Sequence, residues 1–235
     1  AAAGAEGTLP TSIAAIYDQV RTPIVVVRVE HETVLADQLV KVVGAQDEST
    51  GVYALLAARA AVGVKPKILI ATGWTHQQTG GAANPVVAAL KTVAARLRAV
   101  VVSDGPNDTD AAAVAKAALE TGGRIYPVDP TVGVLDRTGA VIQRPSSAHV
   151  AGVGARSDAD PERGFWWSWS NQPINGVVSL GRPIEFSMSD TVASSNRLNE
   201  KGVAVIVNED GFRLWGNRVP GEDNEFPFLA QRRSM

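Results

Sequence analysis

Apolar and polar positions fall into blocks along this chain, and the block period switches repeatedly between helical and extended. Pro10-Thr11-Ser12 reads as a helix start. Ile13, Ile16 and Val20 share one helical face, and Pro23 ends the segment. Ile24 to Val29 is a β-branched run that predicts a buried strand. Val52 to Ala61, entered through Thr50-Gly51 and closed by Gly63, predicts a helix. Lys65-Pro66 then turns the chain into an apolar strand over Lys67 to Ala71. Val86, Val87, Leu90, Val93 and Leu97 recur at helical spacing, so Val86 to Leu97 is a helix. Ala99 to Val102 predicts a strand, Asp108 to Leu119 a helix stopped by Gly122-Gly123, and Arg124 to Val128 another strand. Repeated strand–helix order argues for a parallel sheet covered by helices.

After Thr131 the rhythm changes. Val132 to Leu135 and Ala140 to Ile142 flank Asp136-Arg137-Thr138-Gly139, a turn signal. Pro145 opens a short helix over Ser146 to Ala155, and a Trp-rich loop follows over 156–182. Pro183 to Met188 reads as a strand, Asp190 to Leu198 as a helix and Val203 to Val207 as a strand. Asn208-Glu209-Asp210-Gly211 then makes a hairpin into Phe212 to Trp215. The expected fold is one mixed α/β domain over residues 1–235. Its central sheet is mainly parallel and flanked by helices (an α-β-α sandwich), with a C-terminal β-hairpin.

Composition narrows the picture modestly. The chain has 235 residues, 45% hydrophobic and 20% charged, which suits one globular core. A formal net charge of -2 supplies no overall basic field for nucleic acid or anionic lipid. With no cysteine there is no disulfide or thiolate metal site. No apolar run approaches the roughly 18 residues of a membrane span. The small-residue start, Ala1 to Gly7, shows no basic-then-apolar leader pattern.

Two loops sit where doubly wound sheets gather ligands. Thr72 to Gly81 is glycine-rich but lacks both the Gly-Lys-Ser/Thr ending and the Gly-x-Gly-x-x-Gly pattern of phosphate loops. A surface loop is the simpler reading. Ser103 to Asp110 carries Asp104, Asp108 and Asp110, which could hold magnesium for phosphoryl chemistry. The simpler reading makes Asp108 a helix cap and places Asp110 at the helix's positive end. His31, His76 and His149 show no zinc spacing, and there is no Gly-x-Ser-x-Gly elbow. Trp166, Trp167 and Trp169 have three readings: a base-stacking platform beside Arg156 and Arg163, a subunit contact, or a loop buried on its own domain. Asp158, Asp160 and Glu162 cancel the local positive charge and disfavour the first. No catalytic, cofactor-binding or metal-binding residue is assigned, and no cofactor is expected.

Seven segments, in order, carry a resemblance. They are Ile13 to Gln19 with Ile24 to Val29; Thr50-Gly51-Val52-Tyr53-Ala54-Leu55-Leu56; Lys65-Pro66-Lys67-Ile68-Leu69-Ile70; Pro145 to Gly152; Asn171-Gln172-Pro173-Ile174-Asn175-Gly176-Val177; Asn196-Arg197-Leu198-Asn199; and Gly211-Phe212-Arg213-Leu214-Trp215-Gly216-Asn217-Arg218. Together they resemble the contractile tail sheath proteins of bacteriophages. The resemblance implies a structural subunit, not an enzyme, which polymerises helically around the tail tube and contracts to drive the tube through the host envelope for genome delivery. It implies other copies of itself as partners, with tube, baseplate and terminator proteins engaged through regions beyond this stretch, and no direct nucleic acid or membrane contact. The implied location is the virion tail, assembled in the host cytoplasm. Pyocins, secretion-system sheaths and injection particles share the pattern. Family members carry extended arms and a tube-facing C-terminal region, so the chain is expected to be the middle of a longer subunit. The rival expectation is a magnesium-dependent hydrolase or phosphotransferase using Asp104, Asp108 and Asp110.

Overall fold

The computed structural model describes residues 7–78, 81–221 and 226–234; of the loose lead-in expected over residues 1–9, residues 1–6 lie outside them and Leu9 already belongs to the first helix. In chain order come α1 (Leu9–Gln19), α2 (Leu35–Val43) and a 3-10 helix (Gly51–Ala57) that continues into α3 (Ala58–Val62). Then follow β1 (Ile68–Leu69), α4 (Pro85–Leu97), β2 (Val100–Asp104), α5 (Asp110–Leu119) and β3 (Ile125–Asp129). β4 (Val132–Leu135), β5 (Val141–Arg144), α6 (Ser147–Ala159), β6 (Gln172–Pro173) and β7 (Ser179–Leu180) come next. The chain ends in α7 (Ser194–Glu200), β8 (Ala204–Asn208), β9 (Phe212–Trp215) and α8 (Leu229–Ser234).

The main sheet has the order β1-β2-β3-β8-β9-β6. Its first four strands are parallel, and β9 and β6 add antiparallel. A smaller antiparallel sheet, β5-β4-β7, branches off after β3. The expected fold class is therefore the one observed.

Side-chain alternation explains why both faces are covered. Val101 and Ile125 point into a cluster with Leu90 and Val93 of α4. Val100, Val102, Tyr126 and Val128 point the other way, against Val150 and Val153 of α6 and Trp169. In β8, Val205 and Val207 pack on Ala113 and Ala117 of α5, while Ala204 and Ile206 join the α6 side.

Local chemistry sets the helix ends. Asn84 caps α4 by accepting from Val86 N and Val87 N at 2.8 and 3.1 Å, with Pro85 preset for the first turn. α5 is capped by Thr109, whose Oγ1 accepts from Ala112 N at 3.1 Å, so the cap is Thr109 and not Asp108. Gly63 closes α3 in the left-handed conformation at φ 74°, as its position suggested.

Several expectations need correction. Ile24 to Val29 forms no strand; among the described residues none of its backbone groups is hydrogen-bonded, and Val26 and Val29 are exposed. β-branched side chains favour extended backbone, but a strand also requires a neighbour beside it. Pro183 to Met188 is also irregular. Ile184 and Phe186 still turn inward, and Phe186 meets Trp215 edge-on at 4.9 Å. The helix expected over Val52 to Ala61 opens as a 3-10 segment. Gly44 and Gly51 touch there, and a Cβ on Gly44 would lie 2.4 Å from the Thr50 backbone. The helix expected from Asp190 starts instead at Ser194. α2 and α8 are short and had no reading in the sequence.

Candidate functional site

The carboxyl ends of β1, β2 and β3 are where chemistry would be sought, and their polar groups are occupied by one another. Asp104 closes β2 and is buried. Its carboxylate accepts from Ser147 N at 2.8 Å, Ser147 Oγ at 2.9 Å and Thr75 Oγ1 at 3.0 Å, and its own N donates to Thr75 Oγ1 at 2.9 Å. A carboxylate at the first turn of α6 is also favoured by the helix dipole. Asp104 thus ties the loop after β1 to the start of α6.

Asp110 is engaged elsewhere. Arg182 donates to it at 2.7 Å and Arg197 of α7 at 2.7 Å. Burial works against its charge, but bonds from Arg182, Ser194 and Arg197 outweigh that and hold its carboxyl below the usual range. Arg182 Nε also donates to the wholly buried Asp129 at 2.8 Å, and Asn107 N donates to the other Asp129 oxygen at 2.7 Å. Burial still pushes the Asp129 carboxyl up against the pull of Arg182. Gly105 permits this packing, since a Cβ there would lie 2.3 Å from Asp129 Oδ1. Asp108 stands exposed on the loop. The three carboxylates considered for magnesium therefore split into a helix anchor, an ion-pair centre and a surface group. Among the described residues no cluster of acidic and histidine side chains has metal-binding geometry.

The glycine-rich loop does not present open amides to an anion at α4, because Asn84 occupies them. The same Asn84 donates to Trp74 O at 3.1 Å and Gln77 O at 2.9 Å, closing the loop on itself. Residues 79–80 of that loop lie outside the described set. The histidines stay apart: His76 is exposed, His31 sits beside Gln38 at 3.3 Å, and His149 is buried in α6. Burial lowers the His149 imidazole to about 4, so it is neutral near pH 7.

Two buried polar groups had weak signals or none in the sequence. Lys116 and Glu120 form an ion pair along α5, and Ser103 Oγ donates to Glu120 at 2.6 Å. Their i,i+4 spacing was visible, but their burial was not. Arg182 and Asp129 lie 53 positions apart, and nothing local links them.

The Trp-rich loop divides. Trp169 is buried, edge-on to Tyr126 at 5.7 Å, with Arg233 stacked over it at 4.7 Å. A Cβ on Gly154 of α6 would lie 2.4 Å from its ring. Phe165, Trp166 and Trp167 are 49%, 56% and 47% exposed, so half the loop is core and half is surface. Nearby cations are committed: Arg163 donates to Gln172 at 2.5 Å, and Arg156 to Pro173 O and Gln19. Among the described residues this leaves the exposed rings as an apolar contact face whose neighbouring Arg156 and Arg163 are already hydrogen-bonded.

Four of the seven segments that carry the family resemblance meet one another or the rest of the fold at close contacts. Gln19 of α1 accepts from Asn175 N at 2.9 Å and donates to Asn175 O at 2.9 Å. Arg197 pairs with Asp110, and Leu198 is fully buried. Asn199 packs so closely on Gly216 that a Cβ there would lie 2.2 Å from Asn199 Oδ1.

Residues 47–219 match the family model described as phage tail sheath protein central domain. The chain belongs to the phage tail sheath family. Sheath relatives agree across its length. It is 38% identical to a protein described as a prophage major tail sheath protein of Pseudomonas aeruginosa (strain UCBPP-PA14), covering 100% of this chain and 60% of the relative. It is 32% identical to the tail sheath protein of Escherichia phage P2, covering 99% of this chain and 59% of that one. The chain thus spans about 60% of the length of these sheath relatives. Its fold is similar to a chain of the anti-feeding prophage helical sheath in its contracted state. That match has a TM-score of 0.64 at 20% identity and covers 99% of this chain and 57% of the other. A chain of an anti-feeding prophage baseplate structure gives a TM-score of 0.63 at 20% identity, covering 98% and 55%.

Proposed function

We infer that this protein is a structural subunit of a contractile phage tail sheath. Copies polymerise helically around the tail tube and contract to drive it through the host envelope for genome delivery. The match of residues 47–219 to the sheath central domain carries this reading. The geometry supports it: Asp104 and Asp129 at the strand ends and Asp110 at the start of α5 are each committed to structural bonds, and the exposed aromatic face suits subunit packing better than catalysis.

Polymerisation of this kind needs a heterologous contact that does not close on itself. Contraction then needs two packings that differ by a few kcal/mol per subunit, with each domain moving as a rigid body. Both faces of the main sheet are covered by helices, which suits a rigid brick. The work comes from energy stored at assembly, so no cofactor or nucleotide enters. The subunit is not an enzyme in this reading. Its partners are other copies of itself, the tube and the baseplate and terminator proteins, and its location is the virion tail after assembly in the host cytoplasm. Nucleic acid and membrane are not contacted directly.

Electron microscopy of the full gene product tests this. Hollow, helically striated cylinders that shorten on contraction are expected. Failure to assemble, together with efficient turnover of a phosphorylated substrate, would overturn the reading. The 235-residue chain alone is expected to sediment as a monomer or weak oligomer.

A further inference from the structure

Ile24 to Val29 leaves an apolar cleft of about 470 Å³ beside it. The cleft is also lined by Ile70 to Thr72, which lead from β1 into a turn, and by Gly7 to Leu9 at the entry to α1. β1 is the terminal strand of the main sheet, so its outer edge has no partner strand among the described residues. An outer strand edge and a stretch of backbone without hydrogen bonds among the described residues therefore border one cleft. Both carry β-branched or apolar side chains, and the backbone groups of Ile24 to Val29 make no hydrogen bond among the described residues. An object that satisfies such groups and fills an apolar slot is another strand.

The chain path says which strand. α1 leads directly into Ile24 to Val29. In a mainly parallel sheet, a helix followed by a strand is the second half of a strand–helix–strand crossover, whose first strand lies ahead of the helix. Gly7 to Leu9, where such a strand would hand over to α1, border the cleft. The sheath relatives are longer than this chain, so the family's subunit contains further polypeptide that could provide it.

We propose that the cleft receives one extended, β-branched strand of the same sheath polypeptide, lying ahead of α1 and pairing with the backbone of Ile24 to Val29. The proposal rests on family membership but not on polymerisation. It turns the irregular segment into a paired strand and covers Val26 and Val29.

Hydrogen exchange resolved at single amides tests it on the 235-residue chain, the full gene product as a monomer, and the assembled sheath. Amides of Val25 to Val29 are expected to exchange freely in the 235-residue chain and about 100-fold or more slowly in the monomeric full product. Equal exchange in those two forms overturns the proposal. Protection that appears only after assembly also overturns it, because the strand then comes from a neighbour; the sheath function would stand in that case. Val26→Pro and Val27→Pro remove donors from opposite edges of the segment. One of the two is expected to lower the melting temperature of the full product while neither changes the 235-residue chain. If neither affects the full product, the slot holds no strand.

Discussion

β8 and the Ile24 to Val29 segment have almost the same local chemistry and opposite fates. Ala204–Asn208 is rich in Val and Ile, pairs with β3 on one side and β9 on the other, and is buried through Val207. Ile24 to Val29 is at least as β-branched, yet it pairs with nothing described and exposes Val26 and Val29. The difference teaches that composition selects an extended backbone, whereas a strand is made by what lies on either edge. The Trp loop repeats the lesson at three neighbouring rings. Trp169 lies under α6 and Arg233, while Trp166 and Trp167 are about half exposed.

The largest contrast is expected within that loop. Trp169→Ala should cost about 4 kcal/mol of unfolding free energy, because it empties a fully buried indole site. Trp166→Ala should stay within about 0.5 kcal/mol in the monomer. Denaturant unfolding of both variants checks this, and equal losses would erase the division between core and surface.

Next comes the strand comparison itself. Ile206→Ala in β8 should cost about 3 to 4 kcal/mol. Val26→Ala should change the 235-residue chain by less than about 0.5 kcal/mol. A large loss at Val26 would mean that the segment is already packed.

Protonation probes the buried side independently. His149 has an ordinary value of 6.5 and a folded value of about 4. The folded protein therefore holds the imidazole neutral while the unfolded chain takes up a proton. The contribution is fully present above about pH 6.5 and is lost as pH falls towards 4, a loss of about 3 kcal/mol. Glu120 and Asp129, both pushed up by burial, act in the opposite direction, so the His149 share must be isolated. His149→Gln should flatten the stability profile between pH 6.5 and 4 relative to the parent; an unchanged slope would place the imidazole in water.

The smallest effect separates the strand-end Asp104 from the loop Asp108. Asp104→Asn should cost about 2 kcal/mol, because the amide cannot serve all three buried donors. Asp108→Asn should be close to neutral. Thermal melts of the pair suffice, and a neutral Asp104→Asn would remove it as the anchor of α6.

Much of the fold was legible beforehand. The helical period of Val86 to Leu97, the turn at Asn208 to Gly211 and the alternation of strand and helix are local signals, and each appears as read. The chemistry of the loops was less legible. Asp104, Asp108 and Asp110 look equivalent in sequence, but their roles depend on Ser147, Arg182 and Arg197, which arrive from far along the chain. Arg182 and Asp129 could not be paired from spacing. The Lys116–Glu120 pair could be seen as neighbours on a helix but not as buried.

By itself the sequence determined the α/β class, the order of elements and, through its ordered motifs, the sheath family, because hydrophobic period and turn chemistry are written within a few residues of each other. Tertiary structure alone decided which β-branched run becomes a strand, which tryptophan is core and which carboxylate is an anchor. Each of those outcomes depends on a partner or a dry environment supplied by distant residues, and no local pattern encodes it.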